Sequence, residues 1–163
     1  MKRILMMLIL VGILLLSACG GSATDEPAAG TGIEARDFWA RTALKDGNGA
    51  AYMLLHNYST EDDALVGASS DVAGAVEIHL SQMKADGTME MIQQESIAVP
   101  AGGDLELKPG SYHVMLIGLK QDLKTGDEFS LTLHFTNHKD ITLTVPVLDA
   151  ASMGGSGMDG QMP

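Results

Sequence analysis

Between residues 33 and 149, apolar and polar positions alternate in short runs, and no long stretch keeps a 3.6-residue period. The clearest run is Val76-Glu77-Ile78-His79-Leu80-Ser81. As a strand it sets Val76, Ile78 and Leu80 on one face and Glu77, His79 and Ser81 on the other, because successive side chains point to opposite sides. Residues 50–57 are apolar enough for a strand covered on one or both faces, and the acidic turn Glu61-Asp62-Asp63 separates them from a strand at 64–66. The same pattern predicts strands at 95–99, 104–107, 112–117, 128–135 and 141–147. Turn formers divide them: Asp86-Gly87, Pro100-Ala101-Gly102-Gly103, Pro109-Gly110 and Thr125-Gly126-Asp127. Many short strands at this spacing predict one all-β domain, an antiparallel sandwich or barrel, and no internal repeat is visible.

The ends of the chain follow other patterns. After Met1-Lys2-Arg3, residues 4–16 run almost without a polar side chain. That is too short for a spanning helix, which needs about 20 apolar residues, and reads as a secretory signal. It closes on Leu16-Ser17-Ala18-Cys19-Gly20, which resembles a bacterial lipobox, where the chain is cut before the cysteine and the thiol is acylated. The expected organisation is therefore a signal peptide at 1–18, a flexible tether at 19–32, a folded domain at 33–149 and a Gly-rich tail at 150–163. The tether and the tail have compositions that cannot bury a core.

Cys19 is the one cysteine, so lipidation leaves no thiol elsewhere. That excludes disulfides, thiolate zinc sites, a cysteine nucleophile, redox pairs and the thiolate of a blue-copper centre. Removing Lys2 and Arg3 with the signal takes the basic count from 10 to 8 against 21 acids, a net charge of −13. Such a chain should not bind nucleic acid, and anionic headgroups would repel it. Membrane attachment then rests on the acyl chains.

Against this background four residues stand out. His113 and Met115 alternate with Tyr112, Val114 and Leu116, so both project from one face, about 7 Å apart along the strand. His79 lies on the polar face of its own strand, and Met91 follows the Asp86-Gly87 turn. Thioether and imidazole together make a soft, neutral donor set that suits Cu(I) and suits zinc, magnesium or calcium poorly. Such a set leaves the ion its own charge and releases it to a thiolate acceptor, which is what a carrier requires. A His-x-Met pair on its own is common, and reads as a surface histidine beside a packing methionine. Met53 and Met83 read as packing methionines, and His56, His134 and His138 as ordinary strand or loop histidines.

The intervals between the four add specificity. His79 is followed by Leu80, then residues 81–90, Met91, residues 92–112 and His113-Val114-Met115. This resembles the metal motif of the periplasmic copper chaperone family PCu(A)C, apart from Leu80 at a variable place that is often methionine. The phrases Gly49-Ala50-Ala51-Tyr52-Met53, Val76-Glu77-Ile78-His79, Ile97-Ala98-Val99-Pro100-Ala101-Gly102-Gly103, Leu107-Lys108-Pro109-Gly110 and His113-Val114-Met115-Leu116-Ile117-Gly118-Leu119 are similar to that family too. The resemblance covers residues 33–148. It implies a cupredoxin-like antiparallel Greek-key β-sandwich that holds Cu(I) with His79, Met91, His113 and Met115. It also implies delivery towards the dinuclear copper centre of cytochrome c oxidase, with a copper acceptor such as an oxidase subunit or another copper chaperone as partner.

Three other readings share the sequence. The same ligands would serve a membrane-anchored scavenger or buffer of copper without an oxidase client. A structural or adhesive lipoprotein would bind no copper. An enzyme is disfavoured, because no nucleophile with an adjacent base and no recognisable carboxylate pair is legible. Met153, Met158 and Met162 read as incidental methionines in a solvated tail, or as thioethers able to catch a second copper or cover the first.

Overall fold

The computed structural model describes residues 31–149. The signal peptide expected at 1–18, Cys19, nearly all of the tether at 19–32 and the tail at 150–163 with its three methionines lie outside the described residues.

All ten regular elements among the described residues are strands: β1 (Ile33–Arg41), β2 (Gly49–Asn57), β3 (Asp63–Ser69), β4 (Ala73–Met83), β5 (Met89–Gln93), β6 (Ile97–Val99), β7 (Asp104–Leu107), β8 (Tyr112–Leu119), β9 (Glu128–Phe135) and β10 (Ile141–Leu148). They pair in the order β5-β4-β8-β2-β1-β10-β9-β3-β6, and β7 adds to β2 away from that path. The pairings are antiparallel except between β1 and β10, which run parallel with Ala40 beside Val147 and Arg41 beside Leu148. That short seam joins two halves of a cupredoxin-like β-sandwich, β5-β4-β8-β2-β1 and β10-β9-β3-β6.

Alternation builds the core. Ala51, Met53 and Leu55 of β2, Val114 and Leu116 of β8, Leu131 and Leu133 of β9, and Val145 and Val147 of β10 all face one cluster. Full burial of each large aliphatic side chain there stabilises the fold by about 1.5–3 kcal/mol. Met53 belongs to this cluster, as expected of a packing methionine.

Two strands have no counterpart in the sequence pattern. In β1 the register against β2 shifts between Arg36 and Trp39, and Asp37 takes a φ of 50°, in the left-handed region. A bulge adds a residue and reverses the alternation, so Ile33–Arg41 shows no single period of two. In β5 all five residues are exposed, so no buried face signals a strand. It forms because the preceding turn fixes it against β4. The Lys84 N–H donates to the Thr88 carbonyl at 2.8 Å and the Gly87 N–H to the Lys84 carbonyl at 3.0 Å. Gly87 sits at φ 82°, where only glycine is unstrained. The Asp86 carboxylate accepts from the Thr88 hydroxyl and N–H at 2.6 and 2.9 Å, bonds that also lower its pKa.

Candidate metal site

Strand pairing determines which side chains share the outer face of β5-β4-β8. Between β4 and β8, Glu77 lies opposite Met115 and His79 opposite His113. Between β4 and β5, His79 lies opposite Gln93, Ser81 opposite Met91 and Met83 opposite Met89. Directly opposed residues project to the same side of a sheet. The other side carries Ile78 and Val114 into the core.

His79, Met91, His113 and Met115 therefore share one face. β5 and β8 flank β4, so they stand two strand spacings, about 10 Å, apart. Met115 and Met91 are one register step to either side of His79, about 7–8 Å away on the diagonal, within reach of long side chains. The His79 and His113 rings are 6.0 Å apart between centroids.

Hydrogen bonds select one donor nitrogen on each ring. His79 Nε2 lies 2.7 Å from Glu77 Oε2. A carboxylate only accepts, so in the neutral ring the proton is on Nε2 and the lone pair on Nδ1. That Nδ1 is buried and has no hydrogen-bond partner. His113 Nδ1 lies 3.1 Å from the Ser111 carbonyl, which also only accepts, so Nε2 keeps the lone pair on that ring. A buried, unsatisfied polar atom costs about 1–3 kcal/mol unless something completes it. A soft cation between the rings would do so, and the Glu77 contact is the type of carboxylate–histidine pair that orients metal ligands.

His113 itself is 4% exposed. An aromatic row holds it in place: Tyr52 lies 6.4 Å from its ring, and Trp39 lies 4.7 Å from Tyr52. Beside it opens a cavity of about 610 Å³ whose wall includes Tyr52, Ser81, Met89, Met91, His113 and Met115. His79 does not line this cavity; it lies next to His113, with 12% of its side chain exposed. Among the described residues, no group of three or more His, Cys, Asp or Glu could hold a metal.

Glu77 and Tyr52 were not singled out by the sequence. Glu77 could have been, since an acid two residues before a strand histidine shares its face. Tyr52 could not, because its contact with His113 spans two strands. The remaining histidines bond to neighbours: His56 Nδ1 to Asp104 at 2.6 Å, and His138 Nδ1 to the Lys139 carbonyl at 2.7 Å. His134 makes two contacts, Nδ1 to Asp140 at 2.9 Å and Nε2 to the Ser69 hydroxyl at 3.0 Å. This is a serine beside a histidine base, which the sequence did not reveal. It lies on the exposed outer face of β9 and β3, with the Asp140 side chain 56% exposed, and not in the water-excluded setting that makes such relays effective.

Known proteins share this architecture. The copper-bound PCuAC domain from PmoF2 superposes with a TM-score of 0.62 at 24% identity, over 75% of this chain and 97% of that one. The Cu(I) form of DR1885 from Deinococcus radiodurans gives a TM-score of 0.53 at 29% identity, over 71% and 79%. In sequence, "Putative lipoprotein Lxx21020" of Leifsonia xyli subsp. xyli is 31% identical over 118 residues, 72% of this chain and 70% of that protein. RP573 of Rickettsia prowazekii is 34% identical over 114 residues, 67% of this chain and 62% of its own length. Residues 33–147 match the family described as "Putative lipoprotein LpqE-like". The chain belongs to that LpqE-like family, and its folded body has the PCuAC fold.

Proposed function

We propose that this protein is an extracytoplasmic copper chaperone. Its cargo is Cu(I), held by His79, Met91, His113 and Met115 and passed towards the dinuclear copper centre of cytochrome c oxidase. The observation that carries this reading is the buried, unpartnered Nδ1 of His79 beside His113, with Met91 and Met115 one register step to either side. Two imidazoles and two thioethers are soft, neutral donors that favour Cu(I) over the harder divalent ions. An acceptor offering thiolates binds the ion more strongly, which sets the direction of transfer. The copper-bound relatives of the same fold support the choice of metal.

Placement supports the choice of client. Acylation at Cys19 would anchor the chain on the extracytoplasmic side of the membrane, as the lipoprotein names of its relatives suggest. A tether of about a dozen residues then holds the domain within about 20 Å of the bilayer. At that distance the effective concentration for membrane-bound copper acceptors is high without a tight interface. The test is a deletion strain grown on limiting copper and complemented with wild type or His113→Ala. Oxidase activity restored by wild type and not by the variant is the expected result. Normal oxidase activity with reduced copper tolerance would replace delivery with scavenging. Separately, Cys19→Ser should release the protein from membranes, and unchanged retention would remove the anchor.

A further inference from the structure

The face that carries the four proposed ligands continues towards the β4–β5 turn. Met83 lies directly opposite Met89, the last pair of that ladder, and Met91 is two residues beyond Met89 on the same side. Met83 is 64% exposed, Met89 49% and Met91 56%. Three methionines in water forgo the burial that normally stabilises an apolar side chain, and they do so side by side. They do not line the core, since Ile78 and Val114 do that from the other face. Nor are they mobile loop residues: the hydrogen bonds of Lys84, Asp86, Gly87 and Thr88 hold the turn, and a Lys84–Glu90 ion pair of 3.0 Å spans it. The shared chemistry of the three side chains is a thioether sulfur, a soft donor for a soft monovalent ion. Met89 and Met91 also line the cavity beside His113, so the row reaches from solvent to the buried His113 ring.

We propose that Met83, Met89 and Met91 form a second, outer Cu(I) site, through which the ion enters and leaves the inner set. This rests on reading His79, Met91, His113 and Met115 as the inner Cu(I) site. The step is a ligand exchange at constant oxidation state. Bonds from copper to the sulfurs of Met83 and Met89 break as bonds to His79 Nδ1, His113 Nε2 and the Met115 sulfur form, and Met91 remains bound throughout. Two or three neutral thioethers hold the ion less firmly than a set with two imidazoles, so the exchange runs inward on loading. It runs outward when an acceptor removes the ion from the exposed end.

The test uses the full chain with methyl-labelled methionines, titrated anaerobically with Cu(I) and followed by NMR. In wild type the Met91 and Met115 methyls should move with the first equivalent, and Met83 and Met89 with the second. With His79→Ala and His113→Ala together, Met83 and Met89 should move first. Met83→Leu with Met89→Leu keeps size and apolarity and removes both sulfurs. That variant should keep the inner affinity within about twofold while loading from a chelated Cu(I) donor roughly tenfold more slowly. Met83 and Met89 methyls that stay still in both proteins would overturn the outer site, as would wild-type loading by the double leucine variant. The Met115 methyl reports the inner site independently, so failure of one is distinguishable from failure of the other.

Discussion

His79 on β4 and His134 on β9 look alike in sequence, each in an alternating strand, and the fold gives each a carboxylate partner. Their environments differ in what the ring nitrogens meet and in exposure to water. His134 has both ring nitrogens engaged, by Asp140 and Ser69, on a face open to water. His79 has Nε2 on Glu77 and a buried Nδ1 without a partner. Asn57, also buried, makes a useful third case: its amide donates to the carbonyls of Glu61 and Val99 and its oxygen accepts from Ser59, so nothing is left over. Burial with a leftover lone pair is a cost that folding tolerates when a ligand offsets it. That imbalance, and not residue type, separates His79 from His134 and Asn57.

Equal effects of the two histidines on copper would erase the distinction between them. His79→Ala or His113→Ala should weaken Cu(I) binding by more than about a hundredfold, above the roughly 10–100-fold typical of losing an outer-shell partner. His134→Ala should leave it within about twofold. Competition against a chromophoric Cu(I) chelator reads both. Next in size, Glu77→Ala frees the Nε2 proton and the ring orientation, and should cost about 10–100-fold in Cu(I) affinity. Asp140→Ala, its counterpart on the other face, should cost nothing in the same assay.

A third substitution concerns stability alone. Asp63 opens β3, and partial burial would raise its pKa. Backbone N–H bonds from Ala64 at 2.7 Å, Asn137 at 3.0 Å and His138 at 2.7 Å outweigh that and hold it below the usual carboxylate range. A depressed folded-state pKa contributes stability above the unfolded value of about 3.9, lost as the pH falls through the folded value. Asp63→Asn should therefore lose about 1–2 kcal/mol at pH 7. Denaturant unfolding should show the two proteins converging as the pH falls below the ordinary carboxylate range, with Cu(I) affinity at pH 7 unchanged.

β4 and β8 were legible because each turns an apolar face, with Ile78 and Val114, to the core. Val76, Ile78 and Leu80 alternate against Glu77, His79 and Ser81, and the same rhythm marks residues 112–117, so the faces could be drawn without coordinates. β5 carried no such signal, being exposed on both sides, and Met91 was found there through its interval from His79 and His113. β1 was hidden by the bulge at Asp37. The parallel seam of β1 with β10 was not legible at all, because it depends on two residue pairs separated by most of the chain. Met83 read as a packing methionine. Its exposure and its pairing with Met89 are consequences of tertiary register, which a period-two pattern cannot convey.

In the proposed site two imidazole nitrogens and two thioether sulfurs close on one Cu(I) ion. X-ray absorption on the protein carrying a single equivalent of Cu(I) tests it most directly. The expected shell mixes nitrogen near about 2.0 Å with sulfur near about 2.3 Å, if copper bonds resemble those of zinc. Met91→Ala with Met115→Ala should remove the sulfur component. A shell of nitrogen and oxygen alone, unchanged by that double substitution, would rule out the thioether ligands.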